Sequence, residues 1–240
     1  MFKKLKQIYL DELFHPSFLS LFINPLYFLR KGLLRGISSY SQHMKGVMLD
    51  FGCGSKPYKK LFNVSEYIGL YIQESGHTHK SEQIDVYYDG EKIPFDDNYF
   101  NSIFSSEVFE HVFNIEDILI ELNRVLKPDG MLLATVPFVW DEHEIPYDFG
   151  RYTSFGIKHL LEKHGFKLIK SEKTTNYVET VFQMWNAYLY QYVLPSKPLL
   201  NLLLTVIFIF PFNLLGIILS KILPDNRNFY NNNVIVAQKL

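Results

Sequence analysis

The sequence predicts an α/β fold: a doubly wound, seven-stranded, mostly parallel sheet with N-terminal helices and an apolar helical hairpin inserted before the last strand. Three observations carry this. Short apolar runs of strand length alternate with helix-length segments through the middle of the chain, the pattern of crossover connections between parallel strands. The first run ends on a glycine pair, Gly52 and Gly54, which opens a turn at a strand's carboxyl end. A late stretch, from Pro198 to Ser220, carries no charge and lies between Lys197 and Lys221.

In chain order, residues 1–43 read as a helical segment, with Pro25 opening a new helix near its first turn. Residues 46–51 form a short buried strand, and "KPYKKLF" starts a helix behind it. Strands follow at 67–72, 84–89 and 100–107. A long helix after residue 107 stops at Pro128, with Asp129 and Gly130 as its turn. The fifth strand is 131–138. A helix ending at Gly165 leads to a sixth strand at 167–175, and "NNVIVAQKL" is the seventh. The main domain therefore spans 44–240, with the apolar insert at about 180–225. If the sixth and seventh strands share one sheet, both ends of the insert lie on one side of it. That favours two short helices, broken near Pro211 and Asn213, over a single membrane crossing.

Composition narrows the function. The chain has 240 residues, 48% hydrophobic and 20% charged, enough for a large core. A net charge of -1 without a basic, aromatic-interleaved stripe gives no case for nucleic acid. The single cysteine, Cys53, excludes an internal disulfide and fits a reducing, cytoplasmic compartment. Asp11 and Glu12 interrupt any signal-peptide core. Aromatic residues are plentiful at 16%, 21 of them phenylalanine, and many of the aromatics sit in the two flanks, as if these share a task.

The stretch "LDFGCGSKPY" places Asp50 at the end of a strand, then Gly52 and Gly54, where a ligand can approach backbone unobstructed by side chains. The third glycine of a dinucleotide fingerprint is missing, which disfavours nicotinamide and flavin cofactors. Together with "YYDGEKIPFDDNYFNSIFSSEVFEHV" and "ELNRVLKPDGMLLATVPF", this stretch resembles the class I S-adenosylmethionine-dependent methyltransferases, in particular the methyltransferase type 11 group, over about residues 44–175 and the final strand. The resemblance implies S-adenosylmethionine as cofactor. It implies that Asp50, Gly52, Cys53 and Gly54 form the loop under its methionine and ribose, that Asp89 and Gly90 meet the adenine, and that Ser106 and Glu107 line the methionine side. Asp89 and Gly90 also read as a plain turn. One position departs from the family: Tyr71 stands where an acid usually takes both ribose hydroxyls, a bidentate task a phenol cannot perform. Gln73 or Glu74 is the nearest replacement. A protein that kept the fold and lost catalysis is therefore the rival reading.

The loop after the fifth strand, "PFVWDEHEIPYDFGRYT", is dense in polar and aromatic groups at the expected ligand edge. His143 has the side chain best suited to take a proton from an acceptor hydroxyl near neutral pH. Glu144, Asp148, Arg151 and Tyr152 are candidates to contact the acceptor, while Asp148 and Arg151 equally read as a pair that fixes the loop. Glu110 and His111 read as capping and packing groups. His111, His143 and Glu144 lack a recognisable ligand spacing, so no metal is expected. The expected partner is a small-molecule or lipid-linked acceptor, methylated on oxygen, with peripheral contact at the inner face of a membrane through the apolar flanks.

Overall fold

The computed structural model describes residues 2–73 and 84–240. By contacts these form two compact units: Gly36–Glu172 with Asn233–Leu240, and the first 35 residues with Lys173–Asn232. The N-terminal helices and the apolar insert thus belong to one unit, and the sheet to the other.

The sheet unit is built from β1 (Val47–Phe51), β2 (Glu66–Ile72), β3 (Val86–Tyr88), β4 (Phe100–Ser106), β5 (Leu126–Pro137), β6 (Phe166–Lys173) and β7 (Asn232–Lys239), in the order β3-β2-β1-β4-β5-β7-β6. β1 pairs in parallel with β2 and β4, β2 with β3, and β4 with β5. The chain leaves β1 in one direction and returns on its other side as β4, so the strand order reverses between these two strands, and a ligand crevice belongs at their carboxyl ends. β7 runs against its neighbours: Leu240 N–H donates to Gly165 before β6, and Lys239 Nζ reaches the Leu126 carbonyl at the start of β5. The near-continuous burial of β1, β4, β5 and β7 is what a sheet covered on both faces requires. Part of that cover is α4 (Ile115–Val125), which buries Ile118, Leu119, Leu122 and Val125; α5 (Ser154–Lys163) contributes Ile157 and Leu161 and is capped by Thr153.

Two connections differ from the sequence reading. The expected helix after the glycine loop is only one 3-10 turn, Lys59–Leu61. Lys56 stands at φ 54, outside the helical region, and is followed by Pro57, so no helix can propagate from the glycines. Aromatic side chains stand there instead: Phe62 lies 4.7 Å and Tyr58 6.2 Å from Phe104 of β4, ring centre to ring centre. The helix after β4 ends at Val125, and β5 begins at Leu126 rather than 131. Phe100 pairs with Leu126 and Ser102 with Met131, so the segment from Lys127 to Gly130 bulges out of the ladder. Pro128, which has no N–H to donate, sits within that bulge, and Asp129 turns it at φ 63.

The other unit contains α1 (Phe2–Phe14), α2 (Ser20–Ile23), most of α3 (Tyr27–Tyr40), α6 (Tyr177–Tyr188), α7 (Pro198–Phe208) and α8 (Phe210–Ile222). α6 starts with a complete capping box, Asn176 with Glu179. It runs antiparallel to α8: Asn186 donates to Asn213 at 2.8 Å, and three residues further along α8 the bare Gly216 faces Phe182, one turn back along α6. The insert is therefore a helical hairpin, but its reversal is at 194–197 rather than at Pro211. Ile209, between α7 and α8, keeps helical dihedrals; its N–H donates to Thr205, and its carbonyl accepts from Asn213. Pro211 removes one N–H from this ladder, which marks a kink and not a turn.

Candidate functional site

The glycine loop departs from β1 under tight constraint. Gly52 has φ +75, and a Cβ there would stand 2.3 Å from Val108 Cγ2. The N–H groups of Gly52 and Cys53 both donate to the Leu70 carbonyl, so these two amides serve the sheet and are not offered to a ligand, contrary to the expectation of a fully bare loop. Gly54 is different: at φ +44, nothing lies within 4 Å of where its Cβ would be. Open space over a left-handed glycine is what a close-approaching ligand requires.

Asp50 lies beneath, 3% exposed, and accepts a short hydrogen bond from the Tyr67 hydroxyl. Burial pushes its carboxyl up to about 7, against the opposing pull of Tyr67 and of Lys56. Pro57 occupies the place of the absent third glycine, and Lys56 precedes it. The Lys56 side chain folds back across Gly69, where a Cβ would collide with it, and pairs with Asp85 at 2.5 Å. Tyr67 and Lys56 are site residues the sequence reading missed. The signal was Gly69, a glycine inside a strand, which marks close approach by another group.

Tyr71 is paired in register with Tyr87 near the end of β2, and Glu74 lies outside the described residues. Asp89 is exposed, and its Oδ1 accepts from the N–H groups of Glu91 and Lys92; it orders its own turn, as the simpler reading had it. Gly90 follows at φ +91. On the other side of the switch point, Ser106 hydroxyl shares a 2.9 Å hydrogen bond with Thr135, which also donates to Glu107 Oε1 at 2.7 Å. Glu107 is held at φ 56, an uncommon conformation for a residue with a side chain.

The loop after β5 folds over the turn that follows β4. Phe149 and Gly150 both donate to the Glu110 carbonyl, at 2.7 and 3.2 Å, and this pins the loop beside Glu110 and His111. Asp148 and Arg151 form a two-pronged ion pair, Nη1 to Oδ1 at 2.6 Å and Nη2 to Oδ2 at 2.7 Å. Arg151 spends further hydrogens on the carbonyls of Gly150 and Asp141. Asp148 also accepts from the His143 N–H. Both side chains are thus committed to the loop, which corrects the expectation that they contact an acceptor. The guanidinium and the His143 amide hold the Asp148 carboxyl down to about 2, against the effect of its burial. Tyr152 is half-buried, and its hydroxyl is held protonated beyond the usual range by burial and by Glu110.

His143, Glu144, Glu110 and His111 come together here. The His111 and His143 rings meet edge to face at 4.7 Å, and His111 Nε2 is 3.7 Å from Glu144 Oε1 and 3.8 Å from Glu110 Oε1. Burial, and secondarily Glu107, pushes the Glu110 carboxyl well above its ordinary range; burial pulls His111 below its own. Glu110 and His111, expected as capping and packing groups, are therefore part of the polar site. Sequence spacing could not join them to His143 because the pinned loop does so.

The strand order β3-β2-β1-β4-β5-β7-β6, with a glycine turn at the end of β1, is the Rossmann-like fold of the solved methyltransferase structures it aligns with. Residues 49–134 match the family model described as a methyltransferase domain. Among solved structures, a SAM dependent methyltransferase from Archaeoglobus fulgidus aligns with a TM-score of 0.53 at 19% identity, covering 97% of this chain and 99% of that one. The [4+2]-cyclase SpnF aligns with a TM-score of 0.56 at 16% identity, covering 88% and 80%. A curated relative, the sterol 24-C-methyltransferase ERG6B of Gibberella zeae, is 30% identical over 99 residues, which are 35% of this chain and 26% of the relative's length.

Proposed function

We propose that this chain is an S-adenosylmethionine-dependent methyltransferase acting on an oxygen of a small-molecule or lipid-linked acceptor. The observation that carries the reading is the pairing, across the β1–β4 switch point, of open space over Gly54 and buried Asp50 with the imidazole cluster at His143. The cofactor, when bound, supplies a methyl group on a sulfonium that needs no further activation. The chain's own residues then have three tasks: to hold it, to orient the acceptor and to receive a proton. Asp50 offers negative charge to an ammonium, Gly54 offers unobstructed backbone, Gly90 offers its backbone at φ +91, and Ser106 with Glu107 lines the amino-acid end. His143 receives the acceptor's proton in the ion-free site, its ring steadied by the Asp141 carbonyl at 3.1 Å and by Asp148 at 3.3 Å. Glu144 and Tyr152 border the acceptor. The residues fit the amino-acid end; Asp89 is engaged in its own turn, and Tyr71 does not replace the bidentate carboxylate for the ribose.

Tyr71 favours one second reading, a binding protein of this fold without turnover. Calorimetry with S-adenosylmethionine, followed by labelled methyl transfer into a membrane extract, separates the two. Binding with labelled product supports the enzyme; binding without product supports the second reading; no binding at millimolar cofactor ends both.

The acceptor class and a cytoplasmic, membrane-peripheral location rest on the insert. From Thr180 to Ser220 a single residue, Lys197, is charged, and it stands at the hairpin's reversal. Pro198–Ile222 is long and apolar enough to cross a membrane, yet β6 and β7 on either side of the insert share one sheet, which argues against a single crossing. Leu199 is 80% exposed, and Leu203, Ile207 and Tyr192 are exposed with it, an arrangement suited to lying in a bilayer interface. Co-sedimentation with anionic liposomes, lost in Leu199→Glu/Leu203→Glu at unchanged Tm, is the expected result; equal sedimentation of both proteins overturns it.

A further inference from the structure

One group in the sheet unit has no structural explanation. Glu110 is fully buried, and neither carboxylate oxygen has a hydrogen-bond partner among the described residues. A buried carboxylate left this way is strongly unfavourable unless something else is meant to meet it. Its Oε1 is 3.8 Å from His111 Nε2. The hydrogen on the His111 ring is located by chemistry: Nδ1 is 2.7 Å from the Tyr147 carbonyl, which can only accept. In the neutral ring, Nε2 is then a bare lone pair facing the oxygens of Glu110 and Glu144. Three electron-rich groups pointed at one another repel unless a proton or a metal cation stands between them.

His143 is arranged the same way. Its Nδ1 is 3.1 Å from the Asp141 carbonyl and 3.3 Å from Asp148 Oδ2, both acceptors. Arg151 Nη2 is farther, at 3.5 Å, and its two hydrogens already go to Asp141 and Asp148. So Nδ1 carries the proton and Nε2 is left to bind. An imidazole backed by a carbonyl or carboxylate at one nitrogen, with the other nitrogen free, is the usual setting of a metal-ligating histidine. One ligand atom each from Glu110, His111 and His143 lies within 4.8 Å of the other two.

We propose that Glu110, His111 and His143 bind a divalent first-row metal ion of the zinc type, with Glu144 as the neighbouring fourth donor. Two imidazoles with carboxylate oxygen suit that class of ion. Ligand atoms around a tetrahedral ion stand about 3.3 Å apart. His111 Nε2 is close to that spacing from both acids, at 3.7 and 3.8 Å, while the three ligand atoms as a set, within 4.8 Å of one another, must draw together around an ion. The binding stands on its own; its use rests on the methyl-transfer reading, where the ion would hold an acceptor oxygen and ease loss of its proton, His143 then serving as ligand and not as base.

The test is titration of the metal-stripped full chain with zinc against a chromophoric chelator, and with cobalt(II) to read the visible bands of a tetrahedral imidazole–carboxylate site. One equivalent is expected to bind. Glu110→Gln and His143→Ala should each weaken binding on the order of 100-fold or more, and Asp148→Asn, which is no ligand itself but loosens His143 and the loop that carries it, roughly 10-fold. Glu110→Gln is neutral and nearly the same shape as the protonated acid, so it should stay folded, as its unchanged or higher Tm will report. No binding at about 100 μM metal, or equal binding by Glu110→Gln and His143→Ala, overturns the site. Cofactor calorimetry on the same samples keeps the readings apart. Cofactor binding without metal binding ends the metal site alone, and metal binding without cofactor binding ends the methyl-transfer reading alone.

Discussion

Asp50→Asn should make the protein more stable and a poorer binder of its cofactor. Asp50 is buried, and its carboxyl stands at about 7 in the folded chain against 3.8 ordinarily. Between those values the folded chain holds a proton that the unfolded chain has released. The stability that proton contributes is fully present below about pH 4 and is lost as pH rises to about 7. At about 1.4 kcal/mol for each pH unit, the deficit above neutrality is ~4 kcal/mol. Asparagine carries no charge to desolvate, and its carbonyl oxygen can still accept the Tyr67 hydroxyl. The difference between variant and parent should therefore be near zero at pH 4 and grow to ~4 kcal/mol by pH 8, a Tm gain of about 10 °C. Thermal unfolding across that range is the assay, repeated with S-adenosylmethionine, which should raise the parent's Tm more than the variant's. A variant no more stable than the parent at pH 8 would show that the Asp50 charge is solvated. An undiminished cofactor shift would show that Asp50 does not face the ligand.

Gly52→Ala should lose on the order of 2–4 kcal/mol in urea unfolding, since the new methyl meets Val108 at 2.3 Å in a left-handed backbone; Val108→Ala in the same chain should recover part of it. Tyr71→Asp should tighten cofactor binding by roughly 1–3 kcal/mol, about 5- to 150-fold by calorimetry, through a charge-assisted contact to the ribose. The Asp148 carboxyl is depressed to about 2, so its stabilising share is present above about pH 4 and lost as pH falls toward 2. Asp148→Asn should accordingly lose about 2 kcal/mol at neutral pH and converge with the parent in acid unfolding.

How much of this was legible depended on whether the physics was local. The strands were, because burial on both faces writes a continuous apolar run such as "MLLATVPF" into the chain. The glycine turn was, because only glycine tolerates φ +75 beside Val108. The helix after that turn was not. "KPYKKLF" has helix-forming residues, yet Lys56 at φ 54 and Pro57 set the backbone before propensity could act. The hairpin was legible as an uncharged stretch, but its reversal was misplaced: a proline within a helix kinks it as readily as it ends it. Glu110 and His111 looked like ordinary residues at a helix start because their significance is tertiary. It arises when Phe149 and Gly150 bond to the Glu110 carbonyl and bring His143 across.

Two buried carboxyls of the sheet unit flank the β1–β4 switch point. Asp50 is near the end of β1, and Glu110 is four residues past β4; both are fully buried carboxyls shifted upward by desolvation. A core selected only for stability would replace such groups with apolar side chains of similar volume, at no loss and often some gain. Keeping both where the strand order reverses makes sense if each waits for positive charge from outside: an ammonium at Asp50, a metal ion at Glu110. The linkage runs both ways. Each cation should stabilise the fold by neutralising a carboxylate the fold itself leaves poorly solvated, and each neutral variant should gain stability while losing its ligand. If Asp50→Asn and Glu110→Gln were both destabilising in the ligand-free protein, the two acids would be structural and the crevice between them would have no electrostatic claim to a cationic ligand.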